Sequence, residues 1–208
     1  QLDLDRLDRL FEVAARMQDR DPESRGYGNF RWNWRDGAVL DYNAGDFCME
    51  SATVIWIKHR ELLNDAQQEA LRELIDYAIH GCLRHRVPSS YTNIAIMNAH
   101  NLVLIGEMLG RDDVLAEGRK RLDDFCAYTA SNGIHEYCSP TYAGVDLMCL
   151  HRLHTYCVTP AVREQCEALL KVFWTDAIAN CFAPSFRLGG AHSRDYDYLG
   201  GRGILDNW

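Results

Sequence analysis

The stretch "TNIAIMNAHNLVLIGEML", residues 92–109, constrains this chain more than any other. Its length and spacing read as a helix, and it is apolar nearly all round, so protein must cover it on every side. It nevertheless carries Asn93, Asn98, His100 and Asn101. Burying such groups is unfavourable unless each has a partner. Gly110 follows where a C-terminal cap belongs.

The rest of the chain supplies helices to surround it. Residues 2–18 place Leu4, Leu7, Leu10, Phe11, Ala14 and Ala15 on one stripe. Residues 46–60 read as a largely buried helix. Residues 65–85 read as an amphipathic one behind an Asn64/Asp65 start signal. Residues 113–131 have a charged face, "EGRKRLDD"; 145–157 and 160–181 form a further pair, with Pro160 at a first turn. No segment reads convincingly as a strand.

Helices with charged faces (65–85, 113–131, 160–181) alternate with more apolar ones (46–60, 92–109, 145–157). Loops rich in Tyr, Asn, His or Pro follow the charged ones: "RVPSSYTN", "SNGIHEYCSPTYAG" and "NCFAPSFRLGGAHSRDYDY". This pattern predicts an all-α chain, a single alpha/alpha-toroid domain over 1–208 forming an incomplete or partial barrel of helical hairpins. Inner helices would line the hole and one set of loops would gather at one mouth. The opening "QLDLDRLDRLFEVAARM" is mid-helix in pattern and "GRGILDNW" falls in a loop, so we expect a piece of a longer protein.

With 47% hydrophobic and 25% charged residues, the chain has enough apolar material for a core. The net charge is -8 and no Lys/Arg run exceeds the three residues 119–121, so neither nucleic acid nor a membrane surface is an expected partner. No apolar run approaches the roughly 18 residues of a membrane span. The eight cysteines, at 48, 82, 126, 138, 149, 157, 166 and 181, form no CxxC pair and mostly fall at apolar positions, so they read as reduced structural thiols. There is no HExxH, GxSxG, P-loop or dinucleotide fingerprint. No metal or cofactor is expected; His151 and His154, three apart on a helix, read as a face feature rather than a metal pair.

Chemistry-bearing residues concentrate in the loops. Asn93, at a helix start, is placed to hold an anion with the helix dipole, or simply to cap. "NGIHEYCSPTYAGVD" contributes His135, Glu136, Tyr137, Tyr142 and Asp146, and Ser139-Pro140-Thr141 within it looks like a helix start. "RLGGAHSRDYDYLGG" contributes His192, Arg194, Tyr196 and Tyr198 among glycines. Its bland reading is a loop in which Asp195 and Asp197 pair with Arg194 and Arg202. The aromatic loop "GYGNFRWNWRDGAVLDYNAGDF" supplies Trp32, Trp34 and Arg35, which either stack on sugar faces and bind carboxylates or pack structurally.

Together, "YTNIAIMNAHNLVLIGEMLGR", "NGIHEYCSPTYAGVDL", "FWTDAIAN" and "LGGAHSRDYDYLGG" resemble the alpha/alpha-toroid polysaccharide lyases that act on glucuronan or alginate, over most of residues 27–201. The resemblance implies beta-elimination from an acidic polysaccharide or other small carbohydrate ligand. Its catalytic candidates are Tyr142, His192, Tyr196 and His135. Its substrate-binding candidates are Asn93, Asn98, His100, Glu136, Arg194, Trp32, Trp34 and Arg35. It implies secretion or a periplasmic location, whereas the unpaired cysteines point to the cytoplasm. A whole toroid is longer than this chain, so the resemblance also implies site residues outside it. Three alternatives stand beside it. A glycoside hydrolase would use Glu136 with Asp146, Asp195 or Asp197. A dehydratase, isomerase or cyclase would place Cys48, Cys138 or Cys181 near its cavity. The third is a non-catalytic sugar-binding scaffold.

Overall fold

Helix ends in this chain follow local chemistry. Asn64 accepts the Gln67 amide in its side chain and Gln67 returns the bond to the Asn64 amide, a reciprocal cap that starts a helix at Asp65. Ser139 accepts the Tyr142 amide at 3.2 Å, and Pro140 stands in the first turn of the helix that follows. Gly110 ends its helix in the left-handed region, with φ +62°.

The computed structural model describes residues 4–189, 191–194 and 203–205. The described residues are all-α apart from one minimal hairpin and an isolated antiparallel bridge between Gln18 and Phe30. Its helices are α1 (Leu4–Met17), α2 (Asn43–His59), α3 (Asp65–Arg84), α4 (Thr92–Leu109), α5 (Asp112–Asn132), α6 (Pro140–Tyr156) and α7 (Pro160–Ala179). A 3₁₀ turn, Arg60–Leu62, follows α2. Strands β1 (Cys181–Phe182) and β2 (Arg187–Leu188) pair antiparallel.

Three boundaries among the described residues differ from the sequence expectation by two residues or more. Helix α2 starts at Asn43 rather than residue 46, where Asp41 accepts the Asn43 amide at 2.9 Å. Helix α6 starts at Pro140 rather than 145, because the Ser139 cap already satisfies its first turn. Helix α7 stops at Ala179 rather than 181: the Gly189 amide donates to the Asn180 carbonyl at 2.7 Å, which turns the next residues into the hairpin that the sequence did not announce.

The chain divides into two compact units between Arg86 and Val87. In the first, α1 and α2 each pack on α3, around Met49, Leu71, Ile75 and Ile79. The loop after α1 is tied back by Gln18, which donates to the Leu74 carbonyl, and by paired backbone bonds between Asp19 and residues 28 and 29.

In the second unit, α4 is the centre. Every residue from Thr92 through Gly106 is buried, against α5 on one side and α6 on the other, and α7 packs behind α6. Ile96, Val103, Ile105, Leu122, Leu150 and Leu153 are wholly enclosed. Each such side chain contributes about 1.5–3 kcal/mol of transfer free energy. Glu107 clamps the turn between α6 and α7, accepting from the Val158 and Thr159 amides and from the Thr159 hydroxyl. All eight cysteines are free thiols. No helix among the described residues is long and apolar enough to cross a membrane.

Candidate functional site

The polar ends of α4 and α6 meet in the second unit, and Glu136 lies where they meet. Its Oε2 accepts from the backbone amide of Asn93 at 2.8 Å and from Asn93 Nδ2 at 2.7 Å. Its own amide donates to Thr92 Oγ1 at 3.2 Å. A helix N-terminus holds unpaired amides and a positive dipole end, so a carboxylate there is stabilised. The anion seat expected beside Asn93 is therefore filled by a carboxylate of the protein itself.

Arg194 closes the other side. Its Nη1 donates to Glu136 Oε1 at 2.8 Å, and its guanidinium lies over the rings of Tyr142 (4.7 Å to the centroid) and Tyr91 (5.4 Å). Arg194 thus pairs with Glu136, a partner from another loop; the expected pairs with Asp195 and Asp197 fall on residues outside the described ones. The segment bearing Arg194 is sewn down by three bonds: Ser139 Oγ to the Arg194 carbonyl at 2.7 Å, and Ser193 through its hydroxyl and amide to the Tyr137 carbonyl.

In front of this pair opens a hollow of about 660 Å³, lined by Tyr91, His135, Glu136, Tyr137, Ser193 and Arg194 among others. His135 Nδ1 lies 3.3 Å from the Tyr128 hydroxyl. His192 is near in sequence but differently engaged, its Nε2 3.2 Å from the Leu188 carbonyl. Beneath the site, Asp146 of α6 is 1% exposed, and neither carboxyl oxygen has a hydrogen-bond partner among the described residues. Burial, with the charge of Glu136 adding to it, holds its pKa well above the ordinary carboxyl range.

Of the predicted residues, the structure gathers Asn93, Glu136, Arg194, His135 and Tyr142. It separates others. Asn98 faces α5, where Arg121 donates to its Oδ1. His100 is wholly buried two turns along α4, with Nδ1 3.0 Å from Asn101 Oδ1, and burial lowers its pKa to about 4. Trp32, Trp34 and Arg35 belong to the first unit. Trp32 stacks near Phe47 and donates to Asp41, and Trp34 lies under Arg31. Tyr196, with Asp195, Asp197, Tyr198 and Arg202, lies outside the described residues. His151 is exposed and His154 half-buried on α6, and no metal-holding group of three His, Cys, Asp or Glu occurs among the described residues. Burial pushes the Cys48 thiol up to about 11 and raises Cys138 as well, the reverse of an activated nucleophile. Sequence reasoning did not single out Tyr91 or Tyr128. Tyr91's signal was its place directly before the start of α4, two residues ahead of Asn93.

The described elements make the second unit an α-helical scaffold with an Arg–Glu pair set among tyrosines at one end. The chain belongs to the family described as Domain of unknown function (DUF8769), whose model matches residues 2–201. No curated protein and no solved structure matches it.

Proposed function

We propose that this chain is a polysaccharide lyase of the alpha/alpha-toroid kind, acting on a uronate-containing polymer of the glucuronan or alginate type. The observation that carries the reading is the guanidinium of Arg194, which lines the open hollow and lies over the Tyr142 ring behind it. Beta-elimination needs a cation at the uronate carboxylate, a base for the neighbouring C–H proton and an acid for the departing glycosidic oxygen. Arg194 supplies the cation, held in place by Glu136. Tyr142, whose ring lies under that guanidinium, carries a phenolic hydroxyl of the kind that gives a proton to a leaving oxygen. His135 lines the hollow and suits the base better than His192, which is bonded to the Leu188 carbonyl. The C–H proton passes to the base, the C–O bond breaks, a C=C bond forms, and the leaving oxygen takes a proton from Tyr142.

A second reading, glycoside hydrolysis, is favoured by one observation. Burial and the charge of Glu136 raise the pKa of the Asp146 carboxyl, which suits an acid, while Glu136 accepts from Asn93 and Arg194, which suits a base. Absorbance of the conjugated double bond, followed on glucuronan, alginate, pectate and hyaluronan, separates the two. A rising signal on one polymer, reduced about 10²-fold or more in Tyr142→Phe, supports the lyase. A flat signal with new reducing ends, abolished in Glu136→Gln, replaces it with the hydrolase.

A further inference from the structure

A second polar hollow lies wholly within the first unit. It measures about 260 Å³, near the small end of ligand hollows, so it suits one ring rather than a polymer. Its walls bring together Arg25, Arg84 and Arg86 with His85, Tyr27 and Tyr42. No carboxylate is among the described residues that line it. In a chain of net charge -8, that concentration of cations is a local reversal of sign.

The walls are built, not incidental. Gly28, at φ +83°, lets its loop lie directly on α3: a Cβ there would stand 2.2 Å from the Tyr77 carbonyl oxygen. Buried Asn29 donates to the Tyr42 carbonyl at 2.7 Å and so fixes the opposite wall. Arg84 reaches across, donating to the Ser24 carbonyl at 3.2 Å, with its guanidinium 5.0 Å from the Tyr27 ring centroid. Behind the lining, Asp46 in the first turn of α2 is buried and lies 2.7 Å from His85 Nδ1, which fixes the imidazole where it lines the hollow.

We propose that this hollow binds an oxyanion carried on a sugar ring. Arginine forks match a carboxylate or phosphate, and the faces of Tyr27 and Tyr42 match the apolar face of a pyranose. The inference does not depend on the lyase reading, because it rests on a different unit and different residues.

Calorimetric titration of the full chain with glucuronate, glucose 6-phosphate, glucose and inorganic phosphate tests it. Saturable binding of glucuronate or of glucose 6-phosphate supports it and names the oxyanion. That binding should weaken about tenfold or more in the Arg25→Gln/Arg86→Gln double variant, whose thermal melt is measured alongside. The single variant Arg25→Gln, at an exposed side chain, should show the same direction should the double variant melt early. The inference is overturned by no binding of either sugar acid, by equal binding of glucose, by inorganic phosphate binding as tightly as both acids, or by affinities that the arginine variants leave unchanged.

Discussion

Arg194 and Glu136, 58 positions apart in sequence, form an ion pair of 2.8 Å in which the carboxylate is 5% exposed and the arginine side chain 28%. The same carboxylate holds the first turn of α4 through Asn93. One side chain therefore ties three pieces of chain together: the start of the central helix, the loop before α6 and the segment after the hairpin.

Glu136→Gln leaves one acceptor where two are needed and places an amide against donors. We expect a loss of about 1–3 kcal/mol of stability, the usual consequence of leaving buried partners unsatisfied. Urea unfolding of the variant and the parent, compared at neutral pH, reads it. A midpoint equal to that of the parent would show that Asn93 and Arg194 find other partners.

Asp146 gives stability a pH slope of known sign. Its pKa is raised in the folded state by burial and by Glu136. Above the ordinary carboxyl value of about 4 the unfolded chain has released the proton while the folded chain still holds it, so the unfolded state binds fewer protons. Stability then falls by about 1.4 kcal/mol per pH unit until the folded value is reached. Asn resembles the protonated acid, so Asp146→Asn should be more stable than the parent at neutral pH, with the gain shrinking toward pH 4. The gain should also shrink in a Glu136→Gln background, which removes the neighbouring charge. A pH-independent difference would show that Asp146 is not protonated in the fold.

His100 works in the opposite direction. Its pKa is lowered from 6.5 to about 4 by burial, against a smaller opposing effect of its bond to Asn101. As pH falls through 6.5 the unfolded chain gains a proton that the folded chain refuses. Stability is therefore full above 6.5 and is lost as pH falls toward 4, by about 3 kcal/mol in all. Over the range above pH 4 in which the folded Asp146 keeps its proton, the two groups oppose each other, so the parent should show a shallower profile there than either variant. His100→Gln should show one that declines with rising pH, and Asp146→Asn one that climbs. Urea midpoints across that range check the crossing. Parallel profiles in all three proteins would remove both assignments.

Two glycines with positive φ should respond differently to alanine. Gly110, at φ +62°, has open space around a would-be Cβ, so Gly110→Ala should lose only the left-handed backbone term, about 1–2 kcal/mol. Gly28→Ala adds the 2.2 Å clash with the Tyr77 carbonyl and should displace the loop from α3. The loss should be clearly larger, seen as a lower melting temperature and faster proteolysis near Gly28. Equal losses would mean that the loop yields freely.

The sequence by itself determined the helices and their order. Periodicity is a local property, and so are the Asn64 cap, the Ser139-Pro140 start and the glycine at 110, which is why these could be read one residue after another. It also marked α4 as the buried centre, because only a surrounded helix tolerates apolar side chains on all faces. Which polar groups on that helix meet the candidate site was decided by the tertiary structure. Asn93 and Asn98 look equivalent in the sequence, yet one faces Glu136 and the other Arg121. The direction of a side chain on a fully buried helix depends on which neighbour packs there, and that is set across distances the sequence does not display. The pairing of Arg194 with Glu136 across 58 positions, and the gathering of Arg25, Arg84 and Arg86 around one hollow, have the same origin. Charge lists alone do not say which charges the fold brings within hydrogen-bonding reach.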